Sequence, residues 1–410
     1  MKIFGQHEEG TLRQFEDVRS RAVDAALMAD GHFGYVQPVG GVTAYRNQAS
    51  VVGVGFDIAC GNAAIRTDRR LTDLGDTADA QRAALTGLAD AIHGAVSFGV
   101  GRKNRADDAP VDHPLFEDAA WEAAPARHRQ ALRERARSQL GTVGSGNHYV
   151  DVFADEAGAL WVGVHFGSRG FGHAVASGFM ALAQGAAWDA RVPEREVLLG
   201  LGSALGADYW ALMNLAGRYA YAGREWVARK VVRLMGAREL ELVHNHHNFA
   251  WKEVQASPDG GTEELAVVRK GATPAFPGQQ GFVGGSMGDD AYIVRGAAPN
   301  AGVEDVQRAA LYSTVHGAGR VMSRTAAAGK RNRKTGAQIT PGRISPEMMH
   351  AWLAGRGVVL RGGGLDEAPQ AYRRLPDVIA AQEGTVEVVH TLRPLVVVMA
   401  GADEFDPYKD

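Results

Sequence analysis

The placement of glycine is the feature that most constrains this chain. Glycine accounts for 52 of the 410 residues, about 13% against an average near 7%. These glycines follow no period, which excludes a collagen-like repeat, and they form short clusters beside His, Asp, Asn, Ser and Arg. Because glycine adopts positive φ and lets backbone approach a ligand closely, this distribution predicts a functional site built from many turns.

Strand-like and helix-like segments alternate along the whole chain without a regular βαβ rhythm. We therefore predict an α+β fold, a single intertwined mixed α/β domain over residues 1–410. Strands are expected at residues 51–58, 63–67, 160–166, 265–270, 291–296, 357–361 and 386–399. Helices are expected at residues 78–95, 116–140 and 203–235, the last as two helices joined near Gly223, and from Ser345-Pro346-Glu347 to Gly355. Two charged segments, 101–114 and 326–341, are expected to be disordered loops.

Charge and hydropathy exclude several classes of protein. The net charge is −3 with a pI near 6.5, so the chain is not globally basic, although a local basic cleft would be compatible with it. No apolar run approaches the roughly 18 residues of a membrane helix, and the N-terminus is charged where a signal peptide is apolar. With one cysteine there is no internal disulfide, and we expect a cytoplasmic protein without a membrane partner. No P-loop motif is present.

One glycine-rich turn carries two candidate metal ligands. Asp57 and Cys60 lie three residues apart in GVGFDIACGNAAIRT, residues 53–67, at the end of an expected strand. A carboxylate and a thiolate at this spacing can reach one metal ion, or the thiolate can bridge two. The alternative is a buried structural cysteine.

Three further segments contain candidate functional histidines. His148 follows a Gly-Ser-Gly-Asn turn, and His165 ends an expected strand before Gly-Ser-Arg169-Gly. Each histidine could instead be a hydrogen-bonded core or surface residue, whereas Arg169 between glycines is typical of an anion clamp. The His-rich tract at residues 244–253 indicates either a metal site or a solvated turn.

The last segments indicate phosphate chemistry. His316 stands in H-G-A-G-R, where it could be a nucleophile or an acid/base, and Arg320 and Arg324 would share a face if the segment were helical. Residues 277–296 form a glycine-rich loop of the kind that binds phosphate through backbone N–H groups. Together these segments predict a metal enzyme acting on phosphate esters, without specifying the reaction.

Taken together and in order, the segments resemble the RtcB family of RNA-splicing ligases. The motifs are D-x-x-C, G-S-G-N-H, H-F-G-S-R-G, H-H-N, G-S-M-G and H-G-A-G-R-V-M-S-R. MADGHFGYVQPVGG (28–41) is similar to the family's M-x-D-x-H-x-G segment, and residues 366–398 are similar to its last motif. The resemblance covers about residues 28–401 and leaves 402–410 as a tail.

The resemblance implies a ligase that joins RNA 3′-phosphate or 2′,3′-cyclic phosphate ends to 5′-hydroxyl ends, in RNA repair or tRNA splicing. It implies two Mn²⁺ ions bridged by the cysteine, and a histidine that carries GMP from GTP, with ATP as the second candidate nucleotide. An activating protein such as archease is a further implied partner. The residues that match the family's metal ligands are Asp57, Cys60, His148, His165 and His247, and the nucleophile is His316. The expected nucleotide contacts are Asn147, Asp151, Asn248, Ser286, His316, Gly317, Gly319, Tyr372 and Met399, and the expected RNA-phosphate contacts are Arg169 and Arg320.

Three positions depart from the family pattern. Met399 stands where a guanine-contacting lysine is usual, Asp151 where a guanine-reading glutamate is usual, and Ala291 where a second serine is usual. These departures predict an altered nucleotide preference. Two other readings stay open: a metal-dependent phosphohydrolase that processes RNA ends, and a non-catalytic RNA-end-binding protein. The retained His316 disfavours both, because neither needs a covalent nucleotide.

Two basic clusters are further candidates for contacts to the RNA backbone, with simple solvation as the alternative. They comprise Arg102, Lys103 and Arg105, and Lys330, Arg331, Arg333 and Lys334.

Overall fold

The computed structural model describes residues 1–256, 261–300, 302–331, 338–402 and 404. Within them the α-helices are α1 (Glu9–Arg19), α2 (Val51–Val54), α3 (Ala78–Ala95), α4 (Ala126–Gln139), α5 (Arg169–Ala183), α6 (Ala204–Leu234), α7 (Val303–Ala309), α8 (Arg324–Ala328), α9 (Pro346–Arg356) and α10 (Leu375–Ala381). Short 3₁₀ helices occupy Leu71–Leu74, Pro114–Glu117, Ala119–Ala123, Leu365–Glu367 and Pro369–Ala371.

Strands make up the other half of the α+β architecture. They are β1 (Lys2–Ile3), β2 (Asp24–His32), β3 (Val39–Tyr45), β4 (Gln48–Ser50), β5 (Gly61–Arg70), β6 (Tyr149–Ala154), β7 (Ala159–Phe166), β8 (Leu198–Gly200), β9 (Glu239–His246), β10 (Asn248–Ala256), β11 (Thr262–Lys270), β12 (Ala272–Pro274), β13 (Gln280–Val283), β14 (Ala291–Gly296), β15 (Ser313–Val315), β16 (Gly329–Arg331), β17 (Gln338–Pro341), β18 (Val359–Gly363) and β19 (Val386–Gly401).

The structure contains two large sheets, and the order of the strands in each sheet differs from their order in the chain. The larger sheet runs β13-β14-β19-β6-β7-β5-β9, with β18 parallel to β19, and the smaller runs β1-β2-β3-β11-β10. Their edge strands β9 and β10 are consecutive in the chain and are joined by the single residue His247. The two sheets therefore meet at His247.

Helix α3 packs on the larger sheet through apolar side chains. Leu85, Ala89 and Ile92 of α3 share a buried cluster with strand residues such as Val150 and Val162. Because each fully buried aliphatic side chain contributes about 1.5–3 kcal/mol relative to exposure, this cluster fixes the ends of β6 and β7, which carry the site.

The helix expected at residues 203–235 is a single 31-residue helix, α6, so the predicted break at Gly223 is wrong. A Cβ at Gly223 would lie 3.3 Å from the ring of Phe166. The glycine thus lets the helix lie close to β7. Its cost of about 1 kcal/mol in helix propensity is small beside the packing of the helix.

The strand predicted at 51–58 is also wrong, because residues 51–54 form the short helix α2. Ser50 caps this helix by accepting a hydrogen bond from the Gly53 N–H at 2.7 Å, and Gly55 ends it with φ +92°. Valine favours strands, but the hydrogen bond from Gly53 to Ser50 caps a helix at this position.

The segment expected as one helix at residues 116–140 is divided. Asp118 accepts from the Ala120 N–H and starts a 3₁₀ helix, and Pro125 precedes α4. The other expected strands lie in or overlap β5, β7, β11, β14, β18 and β19, and α3 matches its prediction at 78–95. Helix α9 begins at the predicted Ser345 cap but ends at Gly357, with φ +70°, rather than at Gly355.

The predicted disordered loop at 101–114 is ordered in the structure. Lys230 and Arg233 of α6 pair with Asp108, and Asn104 donates to the Leu140 carbonyl. In the segment 326–341, α8 ends and β16 pairs with β17, while Arg333 and Lys334 lie outside the described residues. Across the described part of the chain, no helix combines the length and apolar character that crossing a membrane requires.

Candidate active site

Turns from both sheets and from the C-terminal third surround one cavity of about 300 Å³. The residues that line it include most of the predicted site and several others. They are His32, Val39, Asp57, Cys60, Asn62, Asn147, Tyr149, Asp151, His165, His247, Asn248, Lys270, Gly271, Gly284, Gly285, Ser286, Met287, His316, Gly317, Ala318, Gly319, Arg320, Arg324, Glu367, Tyr372, Val397 and Met399.

The D-x-x-C turn lies between α2 and β5 and brings Asp57 and Cys60 to the cavity. His148, just before β6, joins them: its Nε2 lies 3.0 Å from Asp57 Oδ2 and 3.7 Å from Cys60 Sγ. At Gly167 a Cβ would lie 2.1 Å from Asp57 Oδ1, so only glycine leaves room for this carboxylate. Asp57, Cys60 and His148 form one group whose ligand atoms lie within 4.8 Å of one another.

A second group shares the same thiol. His165 ends β7 with its Nε2 3.6 Å from Cys60 Sγ, and the ring of His247 lies against that of His165 with centroids 5.1 Å apart. Cys60, His165 and His247 are buried and again place their ligand atoms within 4.8 Å. We call the five residues of the two groups the metal side of the cavity.

The chemistry of these groups fits two transition-metal ions that share a thiolate ligand. Thiolate, imidazole and carboxylate are ligands typical of such ions. Burial lowers the pKa of His165 and His247 well below the usual value, which keeps the imidazoles in the neutral form that binds metal. Burial and the nearby Asp57 raise the pKa of Cys60, so metal binding would have to displace its proton. Burial opposes ionisation of Asp57, but the hydrogen bond with His148 lowers its pKa to about 2.

Residues behind the ligands hold them in place. Asn62 Oδ1 lies 2.6 Å from His165 Nδ1 and directs the opposite nitrogen towards Cys60. The fully buried Arg224 of α6 donates to the carbonyls of Ala59, at 2.9 Å, and Phe166, at 2.6 Å, which are the neighbours of Cys60 and His165. Such outer contacts fix the ligand geometry.

His316 lies beside the metal side, with its ring centroid 4.9 Å from that of His247. Its Nδ1 lies 2.6 Å from Asp30 Oδ2, and the same carboxylate oxygen accepts from the backbone N–H groups of His316 and Gly317. Asp30 is fully buried at the end of β2. A proton on Nδ1 donated to this carboxylate leaves the lone pair of His316 on Nε2.

A further part of the cavity lining, which we call the base side, consists of Tyr149, Asp151, Ser286 and Met399, and Tyr149 stacks on the ring of His165 with centroids 5.4 Å apart. Antiparallel pairing of β6 with β19 places Tyr149 opposite Met399 and Asp151 opposite Val397. Burial raises the pKa of Asp151 well above its usual value, and its Oδ1 has no hydrogen-bond partner among the residues described. Ser286 Oγ donates to Asp289 Oδ2 at 2.8 Å.

A charged network closes the cavity near the C-terminal motif. Arg320 donates to the Tyr372 hydroxyl at 2.9 Å and lies over its ring, with 5.0 Å from the guanidinium carbon to the ring centroid. Glu367 contacts Tyr372, Arg320 and Arg324. The segment 317–323 is irregular, so the condition under which Arg320 and Arg324 would share a helical face is not met, although both side chains line the cavity.

Of the remaining predicted site residues, some line the cavity and one does not. Asn248 accepts from the Gly271 N–H at 2.7 Å, and Asn147, Gly317 and Gly319 line the cavity. Arg169 does not: it donates to Thr142 Oγ1 and to the Gly99 carbonyl, outside the residues that line the cavity. The tract at 244–253 is not a solvated turn, because it forms the end of β9 and most of β10.

Several cavity residues had no role in the sequence prediction. Asp30 and His32 stand in the segment that resembles M-x-D-x-H-x-G, so a signal for them existed in that motif. Lys270 ends the strand β11 after the continuous apolar run 265–268 and Arg269, and Asn62 and Tyr149 lie in or beside predicted motifs. Their roles depend on pairing between distant strands, which no local pattern reveals.

Comparison with known proteins agrees with this arrangement. The family model described as tRNA-splicing ligase RtcB matches residues 12–400. The chain is 32% identical over 396 residues to RNA-splicing ligase RtcB of Escherichia coli K12, covering 91% of this chain and 89% of that protein. It is 31% identical over 443 residues to tRNA-splicing ligase RtcB of Archaeoglobus fulgidus, covering 92% and 87%, and 30% identical over 447 residues to that of Thermococcus kodakarensis, covering 90% and 86%. The chain therefore belongs to the RtcB family.

Proposed function

We propose that this protein is an RNA ligase that joins a 3′-phosphate or 2′,3′-cyclic phosphate end to a 5′-hydroxyl end through a guanylate carried on His316. The observation that carries the proposal is the position of His316 beside the buried metal side and against Asp30, with 2.6 Å between Nδ1 and the carboxylate. An imidazole held by a carboxylate on one nitrogen presents its other nitrogen in one orientation, as a nucleophile requires.

The proposed reaction consists of three successive transfer steps. Nε2 of His316 attacks the α-phosphate of GTP, and a P–N bond forms as the bond to pyrophosphate breaks. The RNA 3′-phosphate oxygen then displaces the histidine, and the 5′-hydroxyl oxygen finally displaces GMP to form the phosphodiester. A 2′,3′-cyclic phosphate is first opened by water to a 3′-phosphate.

The metal side would hold two Mn²⁺ ions, one on Asp57, Cys60 and His148 and one on Cys60, His165 and His247. Two cations would offset the negative charge on the reacting phosphates. The backbone N–H groups and side chains around Gly317, Asn248 and Ser286 would position the nucleotide. Arg320 and Arg324 would attract the RNA-end phosphate.

The wider context rests on the family. RNA with these ends, a role in RNA repair or tRNA splicing, a single catalytic domain and a cytoplasmic location are part of the proposal, as is an activating protein such as archease. GTP is the first expected nucleotide and ATP the second.

The test combines two measurements on one preparation. Intact-mass analysis after incubation with GTP and Mn²⁺ should show one added guanylate on the wild type and none on His316→Ala. The same wild-type sample should join a 3′-phosphorylated RNA to a 5′-hydroxyl RNA. An adduct that persists in His316→Ala would place the nucleophile elsewhere.

The alternative, a phosphohydrolase that processes RNA ends, is favoured by one observation: the base side has methionine in place of the family's usual lysine, and burial raises the pKa of its carboxyl, Asp151. Release of phosphate from the 3′-phosphorylated RNA, without any adduct on His316, would support it over ligation.

A further inference from the structure

An exposed pair of aromatic side chains lies just outside the cavity. Phe33 and Tyr35 follow β2 directly and are 64% and 56% exposed. Large aromatic side chains are usually buried in a monomer, so two in one short turn indicate a contact surface. We call Phe33, Tyr35 and Phe56, which contacts Tyr35, the aromatic platform.

The turn that carries the platform is braced. Gln14 of α1 donates to the carbonyls of Gly34 and Tyr35, at 2.9 and 2.6 Å, and accepts from the Gly34 N–H at 2.9 Å. Phe33 lies over Gly10, where a Cβ would be 3.6 Å from its ring. The rings are thus presented in fixed positions, which lowers the entropy that binding would cost.

The platform is continuous with the reaction site. Tyr35 meets Phe56 edge to face at 5.8 Å, and Phe56 adjoins the ring of His173 at 5.5 Å. Phe56 directly precedes Asp57 of the metal side. Lys270, which lines the cavity, lies with its Nζ 5.5 Å from the Tyr35 ring centroid. A strand that leaves the cavity past Lys270 would therefore meet Tyr35 first and Phe33 beyond it.

Charged side chains of both signs line the groove beside Phe33 and Tyr35. Arg13, Arg21 and Arg195 lie there with two acidic residues, Asp17 and Glu196. Arg21 pairs with both acids, and Arg13 pairs with Glu9. Among the residues that the structure describes, Arg195 is exposed and makes no ion pair. Aromatic faces beside arginines are the combination that binds single-stranded nucleic acid, in which bases stack and phosphates pair.

We propose that the aromatic platform binds the unpaired bases of the RNA strand next to the end that is being joined, with one base stacked on Phe33 and one on Tyr35. This inference rests on the proposed function and adds to it the surface that holds the strand. Stacking does not depend on base identity, so the platform would bind single-stranded ends of any sequence and would not hold duplex ends.

The experiment measures binding of fluorescent RNA to the full-length protein by anisotropy. The variants are Phe33→Ala, Tyr35→Ala and the pair, with Phe33→Trp as the conservative variant and Leu240→Ala as the control. Leu240 is 60% exposed on β9, about 20 Å along the strand from His246. The probes are a 3′-phosphorylated and a 5′-hydroxyl single strand, each made also with abasic sites in its last nucleotides.

We expect each alanine substitution to weaken binding of at least one strand by about 5-fold or more, within the range of base–aromatic stacking. Phe33→Trp and Leu240→Ala should bind as the wild type does. The difference between wild type and variant should vanish on the abasic strand, and the salt dependence should stay unchanged because no phosphate contact is lost. Which strand responds identifies the end that the platform holds.

Unchanged affinity of the double variant for both strands would overturn the proposal and leave the platform as a surface for a protein partner. An equal loss on the abasic strand would overturn stacking as the cause. Labelling of His316 by GTP should be unaffected in Phe33→Ala. Failure of the platform is thus distinguishable from failure of the proposed ligase, which would appear as absent labelling in the wild type.

Discussion

The metal side and the base side of the cavity differ in how their side chains are held by other residues. On the metal side, two candidate ligands are held by further contacts: Asn62 orients His165, and Arg224 holds the carbonyls next to Cys60 and His165. The Nδ1 atoms of His148 and His247 have no hydrogen-bond partner among the described residues. On the base side, Asp151 has a buried carboxyl oxygen without a partner among the described residues, and Met399 is apolar.

The two walls differ in the contacts that are in place before any substrate arrives. Metal ions and a nucleophile need geometry that is set in advance, and Asn62, Asp30 and Arg224 make buried contacts of that kind. Recognition of a purine base needs polar groups that would be left unpaired by the wrong base. If the base side binds the nucleotide base as proposed, Asp151 and Met399 offer few such groups.

The two departures on the base side are linked. Residues 149 and 151 of β6 face the same side as 397 and 399 of β19, so Asp151 and Met399 are diagonal neighbours. A lysine at 399 would lie close to Asp151 and stabilise its charged form. With methionine there, no such charge offsets burial, which raises the pKa of Asp151 well above its usual value.

The largest expected effect is the loss of metal from the metal side. Cys60→Ala removes the one ligand that both groups share, so we expect both ions to be lost, together with nearly all activity. His148→Ala should remove only one ion, because His148 belongs to one group. Metal analysis of the purified variants checks this, and equal metal content in Cys60→Ala and wild type would rule out a bridging thiolate.

The next effect concerns the orientation of the nucleophile. Asp30→Asn keeps the shape of the buried side chain but removes the carboxylate that holds His316 Nδ1. We expect the rate of nucleotide transfer to His316 to fall by about 10²–10⁴-fold, by analogy with other carboxylate–histidine pairs. Metal content should not change, which separates this variant from Cys60→Ala. A wild-type labelling rate in Asp30→Asn would contradict a positioning role.

The next effect is a gain in nucleotide specificity at the base side. Met399→Lys should restore a charged donor beside Asp151 and increase the preference for GTP over ATP by about 10- to 150-fold, the value of one charged hydrogen bond. Met399→Leu, which keeps the apolar wall, serves as the control. An unchanged GTP-to-ATP ratio in Met399→Lys, with the variant still folded, would mean that residue 399 does not face the base.

The smallest effect is a dependence on pH. Burial lowers the pKa of Lys270 to about 8, so its amine is charged below that pH and neutral above it. Because a charged amine in the cavity attracts nucleotide phosphates, we expect nucleotide affinity to weaken severalfold as the pH rises through about 8. Lys270→Arg should show no such transition, since arginine stays charged. Isothermal titration at several pH values measures this, and parallel curves for the two proteins would show that Lys270 does not contact phosphate.

The sequence predicted much of the fold because most strands are apolar runs of ordinary length. It failed where one polar or small residue decided the outcome: the Ser50 cap turned a valine run into a helix, and Gly223 served packing rather than a break. The order of strands in the sheets could not be predicted. Strand β5 pairs with β7 and β9, and the paired residues are 89 to 185 positions apart in the chain.

The five candidate ligands of the metal side were assigned through the resemblance to the RtcB family, because residue types alone left an ordinary structural alternative for the cysteine and for each histidine. Asp30, Asn62 and Arg224 were not, since each acts by touching another side chain or backbone carbonyl across the fold. Arg169 shows the converse case: a residue in a strong motif lies behind the cavity lining, bonded to Thr142 and Gly99, where its charge helps to lower the pKa of Asp57.

The ratio of the rates at which GTP and ATP label His316 in the wild-type protein with Mn²⁺ tests the contrast between the metal side and the base side directly. We expect an adduct on His316 with both nucleotides, faster with GTP, at a ratio well below the roughly 10⁴-fold of a site that hydrogen-bonds its base fully. An absent adduct would contradict the metal side and nucleophile as described. A preference for GTP beyond roughly 10⁴-fold would show that the base side reads guanine through groups other than Asp151 and Met399.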